Sequence, residues 1–492
     1  MNYKTDLVIV GAGVVGSAIA RQLSGYDIDV MLIDKNEDIG GTASRGNQGV
    51  IGATSVFSML MYEDTHMMDE TIVNLFTIAN NLIYPQWLED LEVKTVKTGV
   101  LVAGKNQEEM DSMEAARKKA WDRGDFRTRR VTEKQVYELV PMLAPGFVGG
   151  YYCPEDKVVN VFDLVVAMTQ NAVENGVRLM TSTKALSVEI DKETNSVKGV
   201  QTDKGFIEAR YVINCCAIYA DELARTTGYC NFRNYPRYGQ TYIFDKNLPY
   251  APKTMVRPCP GRVVTGATIT PTTAGNLSVG PSADNGTDKE DSATTREALD
   301  WVMESVQSLI PAIDPRDSIT QFTGMRAAKD PSNWVLEVSA NVNGYCEAIG
   351  ISQGVTSAPA IACHMQNLLE HDGLILEPKE DYNPNRKKIK KFADMTEAQR
   401  ADAIASDPRH GNVICRCETI TEAEIVRAIH TPPYAHSLDA IKRRLRAGMG
   451  RCQGGFCSPR IVEILARERN VPAQTITKNE KGSEIVVDKC RK

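Results

Sequence analysis

The stretch Leu7-Val8-Ile9-Val10-Gly11-Ala12-Gly13-Val14-Val15-Gly16 limits what this chain can fold into more than any other. Four apolar residues in a row, three of them β-branched, suit a strand buried on both faces, and glycines at 11, 13 and 16 follow without a break. Ser17-Ala18-Ile19-Ala20-Arg21-Gln22-Leu23 then offers small and apolar side chains for a helix lying close on that strand. A second strand, Asp29 to Ile33, ends at Asp34, about 20 residues after the glycines. Gly11 permits the tight turn, Gly13 lets the backbone approach a pyrophosphate, and Gly16 allows close helix packing. The helix N-terminus presents N–H groups and a positive dipole end to phosphates. Asp34 can accept hydrogen bonds from a ribose 2′-hydroxyl and disfavours a 2′-phosphate. The flanking strand, helix and acidic residue together predict a dinucleotide site. No second strand-glycine-helix unit follows, so one tightly held dinucleotide is expected.

The chain has 492 residues, enough for several domains and a substantial core. Its 57 basic and 63 acidic residues balance to −6, which gives no electrostatic basis for binding nucleic acid. Apolar runs such as Leu7 to Val10 stop well short of the ~20 residues that span a bilayer. The opening Met1 to Asp6 lacks the basic start and apolar stretch of a secretory signal. A cytoplasmic protein is expected, any membrane association being peripheral and through partners. In a reducing compartment its 12 cysteines are expected to bind metal, react or fill core positions rather than form disulfides.

The fold class expected is α/β: a Rossmann-like layer assembled from separated stretches, with a mainly antiparallel β substrate domain inserted. Residues 1–375 form this unit, with insertions at about 75–150 and 230–320. Residues 376–410, with Pro378, Pro384 and Arg386-Lys387-Lys388, lack apolar periodicity and read as a linker. A small helical four-cysteine domain at 411–470 and a tail at 471–492 complete the chain.

Three further segments carry a resemblance. Gly40-Gly41-Thr42-Ala43-Ser44-Arg45-Gly46-Asn47-Gln48-Gly49-Val50-Ile51 resembles the flavin-proximal loop of the D-amino-acid oxidase/glycerol-3-phosphate dehydrogenase superfamily. Phe322-Thr323-Gly324-Met325-Arg326-Ala327 resembles its substrate-arginine motif, and Gly350-Ile351-Ser352-Gln353-Gly354-Val355-Thr356 its closing flavin segment. The resemblance implies FAD, held by Gly11, Gly13, Gly16, Asp34, Ser44, Arg45, Asn47, Gly350, Gly354, Val355 and Thr356. Arg326 is the implied substrate clamp, its planar fork suited to a phosphate or carboxylate. Relatives that oxidise glycerol 3-phosphate or L-2-hydroxyglutarate carry a histidine after the loop glycine, whereas Gly49-Val50-Ile51 is followed here by Gly52. The base is left open among His66, His364, Tyr242 and a partner's group. Val263 to Thr272, ending in Ser278 to Pro281, resembles the L-2-hydroxyglutarate oxidase branch.

Cys415-x-Cys417 and Cys452-x-x-x-x-Cys457 bring four soft ligands into one short segment. Four thiolates suit a 2Fe-2S cluster or a tetrahedral zinc, and the one-residue gap is less typical of zinc. Thr421 with Glu424 reads as a capping box that starts a helix. Ile414 to Thr421 and Gly448 to Cys457 resemble the bacterioferritin-associated ferredoxin-like domain, which implies a 2Fe-2S cluster on these four cysteines. The same domain ends the catalytic subunits of anaerobic glycerol-3-phosphate dehydrogenases.

A flavin and iron-sulfur dehydrogenase is therefore expected. It would oxidise a small anionic secondary alcohol, foremost glycerol 3-phosphate, and pass electrons through the cluster to a flavoprotein or iron-sulfur partner subunit or to quinone. A 2-hydroxy acid such as L-2-hydroxyglutarate, or an amine or imino acid, is the alternative substrate. A non-catalytic electron-transfer or zinc-stabilised subunit is the alternative class.

Overall fold

A computed structural model describes residues 2–54, 56–57, 70–259 and 266–488. The strand Leu7–Val10 lies inside a six-stranded sheet ordered Arg178–Met180, Val30–Ile33, Leu7–Val10, Tyr211–Asn214, Tyr345–Ile349, Val335–Val338. The first five strands are parallel and the last is antiparallel. Parallel strands buried on both faces read as unbroken apolar runs, and every residue of Leu7–Val10 and Val30–Ile33 is buried. Leu7 and Ile9 face the helices Val14–Leu23, Val161–Glu174 and Gly354–His371. Val8 and Val10 pack on the opposite side with Val188, Val200 and Ile207 of a small four-stranded sheet.

The second layer is a nine-stranded sheet built mainly from residues 100–153 and 233–330. Its longest pairing is antiparallel, between Arg233–Phe244 and Ser318–Asp330. Leu101, Phe244, Val256, Ile269 and Val279 pack against Val302, Met303 and Val306 of the helix Arg296–Gln307, giving this layer its own core.

Residues 413–476 form a third core around the helices Glu422–His430, Leu438–Leu445 and Ser458–Arg469. The capping box forms as its spacing predicts. The Glu424 amide donates to Thr421 Oγ1 at 3.4 Å and the Thr421 amide to Glu424 Oε2 at 2.8 Å.

The segment before this core is more than a bare connection. Arg386 donates to Asp163 at 2.8 Å and to Gln170 at 2.9 Å, and Lys388 reaches Asp163 at 3.0 Å. A few residues further on, the Phe392 amide donates to Glu424 at 3.0 Å, so one strap joins the helix Val161–Glu174 to the C-terminal helices. Sequence periodicity misses this because the anchors are polar and far away in the chain.

Asp38 fastens the two parts directly. It is 4% exposed and accepts from Arg443 at 2.8 Å and from Arg444 at 2.8 and 3.0 Å. Burial would raise its pKa, but Arg444 and Arg443 hold it at about 2. Its contribution is complete above the ordinary value of 3.8 and fades as the pH falls to about 2 and below. Asp38→Ala leaves two buried guanidiniums without their carboxylate and should cost about 3–5 kcal/mol in denaturant unfolding at pH 7. An unchanged unfolding midpoint would show that the contact does not hold the two parts together.

Candidate flavin cavity and four-cysteine centre

The glycine loop folds as its residues require. Gly11 has φ +109°, and a Cβ there would lie 2.5 Å from the Cys215 carbonyl oxygen. A Cβ on Gly16 would lie 2.0 Å from the Gly11 carbonyl oxygen. Asp34 pins the loop, Oδ2 accepting from the Ala12 amide at 2.8 Å and Oδ1 from Asn36 at 2.9 Å. Burial pushes its carboxyl up, against those N–H donors. The Val14 amide, first in its helix, donates to Ser44 Oγ at 3.0 Å.

Beyond this loop lies a cavity of about 750 Å³, of the size that holds a cofactor with a small substrate. Gly13, Gly16, Ser44, Asn47, Gly350, Gly354, Val355 and Thr356 line it. Gly11 and Asp34 stand behind the lining. Arg45 is exposed and also lies outside it, on the side of the chain near Lys442.

The loop around Gly46 approaches the substrate strand with nothing between. A Cβ on Gly46 would fall 2.1 Å from the Gly324 Cα, so both crossings require glycine. The helix Gly354–His371 starts at the cavity with no side-chain cap on its first turn, and Val14–Leu23 starts there with Ser44 taking only its first amide. Two helix N-termini facing one cavity leave amide donors for anionic or carbonyl groups. Those donors, together with a glycine cradle that Cβ atoms would fill, suit a flavin dinucleotide.

The far wall is cationic. Strand side chains alternate between faces, and Tyr235, Arg237, Gly239 and Thr241 all reach the cavity. Tyr242, of opposite parity, packs instead edge-on to Phe244 with ring centroids 6.0 Å apart. Arg237 lies directly opposite Arg326 in the antiparallel register. Arg326 donates to the Ser282 carbonyl at 2.7 Å, and Arg237 Nε to Asn285 at 2.8 Å. Arg257 stands on the same wall, whereas the buried Lys329, three residues from Arg326 and so on the other strand face, reaches the cavity at its Gly350 end, donating to the Pro331 carbonyl at 2.8 Å and to Asn333 at 2.6 Å. Of these four cations sequence reading found Arg326 alone. The alternation of Tyr235, Arg237 and Thr241 carried a signal for Arg237, but none marks Arg257 or Lys329.

Among the candidate bases, His364 is half-buried on the helix Gly354–His371, outside the cavity lining, and burial lowers its pKa. His66 lies outside the described residues, as do 263–265 of the segment compared above.

The cysteines of the C-terminal part gather as two pairs. Cys417 and Cys452 sulfurs lie 3.9 Å apart at the surface, and Cys415 and Cys457 hydrogen-bond to each other in the interior. The Cys457 hydrogen bond, helped by the Gly448 and Glu418 amides, holds the Cys415 thiol below its ordinary value while the Cys457 thiol is pushed up. Amides of Phe456 and Gly454 lower the Cys452 thiol. A Cβ on Gly450 would lie 2.2 Å from the Cys417 Cβ, so glycine is what lets the second cysteine segment close over the first. Among the described residues no three His, Cys, Asp or Glu close around one point. Two sulfur pairs with amides aimed at sulfur suit a two-iron cluster, one pair to each iron.

Seven of the other eight cysteines are described. Cys153, Cys215 and Cys346 are buried, and Cys216, Cys230, Cys259 and Cys363 are partly so.

Comparison with known proteins fits both sites. The profile described as "FAD dependent oxidoreductase" matches residues 6–368, and "BFD-like [2Fe-2S] binding domain" matches residues 413–467. Over 482 residues, 98% of each chain, the sequence is 34% identical to a glycerol 3-phosphate dehydrogenase of Caloramator mitchellensis. It is 21% identical to one chain of the anaerobic glycerol-3-phosphate dehydrogenase of Escherichia coli, covering 95% of this chain and 89% of that one. The FAD-bound L-α-glycerophosphate oxidase of Mycoplasma pneumoniae superposes with a TM-score of 0.70 at 22% identity, over 78% of this chain and 98% of that one. The chain thus belongs to the FAD-dependent oxidoreductase family and, with its BFD-like domain, is a flavoenzyme that carries a 2Fe-2S cluster.

Proposed function

We propose that this enzyme oxidises sn-glycerol 3-phosphate to dihydroxyacetone phosphate in the cytoplasm and passes the electrons, through its cluster, to a partner protein. The observation that carries the substrate reading is the placement of Arg237 opposite Arg326 on the cavity wall, with Arg257 further along the same sheet face. Like charges directly opposed across strands are destabilising. A phosphate dianion between them offsets that repulsion with charge-assisted hydrogen bonds, and a guanidinium fork fits its oxygens. One carboxylate would neutralise less of this wall. Relatives named for glycerol 3-phosphate support the same assignment.

The geometry supports the following cofactor roles. Gly11, Gly13 and Gly16 keep side chains away from the pyrophosphate, with the Val14–Leu23 helix N-terminus toward its charge. Asp34 holds the loop in shape and retains lone pairs for a ribose hydroxyl. Asn47 and Gly350 border the ring end. The Gly354–His371 N-terminus, with Val355 and Thr356, offsets charge on the ring. When bound, FAD accepts two electrons as hydride and can release them singly, and the cluster takes one at a time. Cys415, Cys417, Cys452 and Cys457 are its ligands. The exposure of Cys417 and Cys452 supports an electron exit at the surface, where a partner can dock. Among the described residues no helix is long and apolar enough to cross a membrane, so a quinone-linked route would run through partner subunits.

Under anaerobic conditions glycerol 3-phosphate should bleach the flavin band and L-2-hydroxyglutarate should not. The reverse outcome would transfer the assignment to hydroxy acids. Arg326→Met and Arg237→Met should each weaken glycerol 3-phosphate binding by about 10- to 150-fold, the loss of one charge-assisted contact. Equal affinity in either variant would remove that arginine from the phosphate site. Gly450→Ala should lose acid-labile sulfide while retaining FAD and substrate-dependent bleaching, with slower reoxidation by a one-electron acceptor. Full sulfide content in that variant would contradict the closure assigned to Gly450.

A further inference from the structure

An alcohol gives up hydride readily only if its hydroxyl proton has somewhere to go. The loop that supplies a histidine in resembling sequences has Gly52 instead, and the other strand of the same sheet fills the gap. Val50 pairs with Val158 and Ile51 with Lys157 in antiparallel register. Continued one step beyond its last pair, that register would bring Gly52 opposite Asp156. Directly opposed residues in an antiparallel pair share a face, so this register would set the Asp156 side chain on the face from which residue 52 would project.

The contacts agree. The Ala53 amide donates to Asp156 Oδ1 at 2.8 Å, bringing the carboxylate to the residue next to Gly52. Asp156 and Gly52 both line the cavity, as does Arg257. The Asp156 backbone is fixed, its carbonyl accepting from Thr98 and Gly99 at 3.1 and 2.9 Å. Gly52 is fixed likewise, between Thr356 Oγ1 at 3.1 Å and Asn80 at 2.8 Å. A Cβ on Gly52 would meet only Thr356 Oγ1, at an ordinary 3.7 Å.

We propose that Asp156 is the proton acceptor of this site, replacing from the opposite strand the base that the loop lacks. This rests on the alcohol-oxidation reading above. In the step assigned, the substrate O–H bond breaks and its proton passes to the Asp156 carboxylate. The C–H bond breaks with its electron pair going as hydride to oxidised FAD, and the carbonyl double bond forms. One alcohol yields one ketone, one reduced flavin and one protonated carboxyl. The proton then leaves to solvent before the next turnover.

Burial pushes this carboxyl up to about 6, against the Ala53 amide and Arg257. The charged and titratable groups around it are Arg257, Cys153, Asp125, Lys157 and Tyr152. A base must be ionised to act, so flavin reduction should fall as the pH drops through about 6.

The test compares the FAD-loaded wild type with Asp156→Asn, which still offers an oxygen to the Ala53 amide, by anaerobic rapid mixing. Glycerol 3-phosphate and a panel of 2-hydroxy acids are used, and the comparison is read with whichever reduces the wild type. Flavin reduction should slow by about 10²- to 10⁴-fold in the variant, with substrate dissociation constants within about twofold. Gly52→His added to Asp156→Asn should recover part of the rate. Independently of turnover, an infrared pH titration of the wild-type holoenzyme should show a protonated carboxyl band that Asp156→Asn lacks. An Asp156→Asn enzyme that reduces its flavin like the wild type, or the absence of that band, would overturn the proposal. Reduction of the wild type by a hydroxy acid alone would overturn the phosphate substrate and leave the base standing. A wild type reduced by none of them would overturn both.

Discussion

Two guanidinium groups held opposite each other across one pair of strands are the interaction around which the site is organised. Arg237 and Arg326 repel, yet the long pairing of Arg233–Phe244 with Ser318–Asp330 fixes them on the cavity wall. On the function proposed, a phosphate between them would offset the repulsion of two like charges on paired strands. The glycine crossing of Gly46 and Gly324 then sets the distance between this wall and the loop beside the flavin. A side chain at either glycine would separate the anion seat from the place where hydride must be delivered. Substrate charge, strand register and flavin position are therefore one geometric problem, solved by backbone contact.

What the sequence disclosed and what it hid divide by range. The glycine loop was legible because its requirements are local: a turn at Gly11 and close packing at Gly16 can be filled by one residue type. The four cysteines were legible because soft ligands at short spacing have few other uses. Arg326 came from its motif. Arg237, Arg257, Lys329 and Asp156 were not found, since their meeting depends on pairings between strands far apart in the chain. Tyr242 is a reasonable candidate base on sequence alone, but strand parity places it on the other face. The strap residues Arg386 and Lys388 resemble a solvated charge run, and only their distant partner Asp163 gives them a structural task.

The C-terminal domain is seated at more than one point. Asp38 binds Arg443 and Arg444, while Glu418, next to a cluster cysteine, accepts from Lys246 at 2.9 Å and Arg446 at 3.1 Å. Arg446 also donates to Asn276 at 3.2 Å, one residue before the strand Leu277–Gly280. Gln48 of the flavin-proximal loop bonds that same strand, to Ser278 at 3.2 Å and to the Gly280 carbonyl at 3.1 Å. A short run of fixed contacts thus connects the cavity to the cysteine centre. A rigid seat of this kind keeps the separation of two redox centres constant, which single-electron transfer between them requires.

The central claim is that a two-electron oxidation in the cavity leaves the chain in single-electron steps through the cysteine centre. Rapid-freeze electron paramagnetic resonance of the anaerobic holoenzyme mixed with glycerol 3-phosphate tests it most directly, alongside the flavin absorbance. The account predicts that the flavin bleaches first and that the signal of a reduced 2Fe-2S cluster grows in afterwards. A bleached flavin with a cluster that stays oxidised throughout would contradict it.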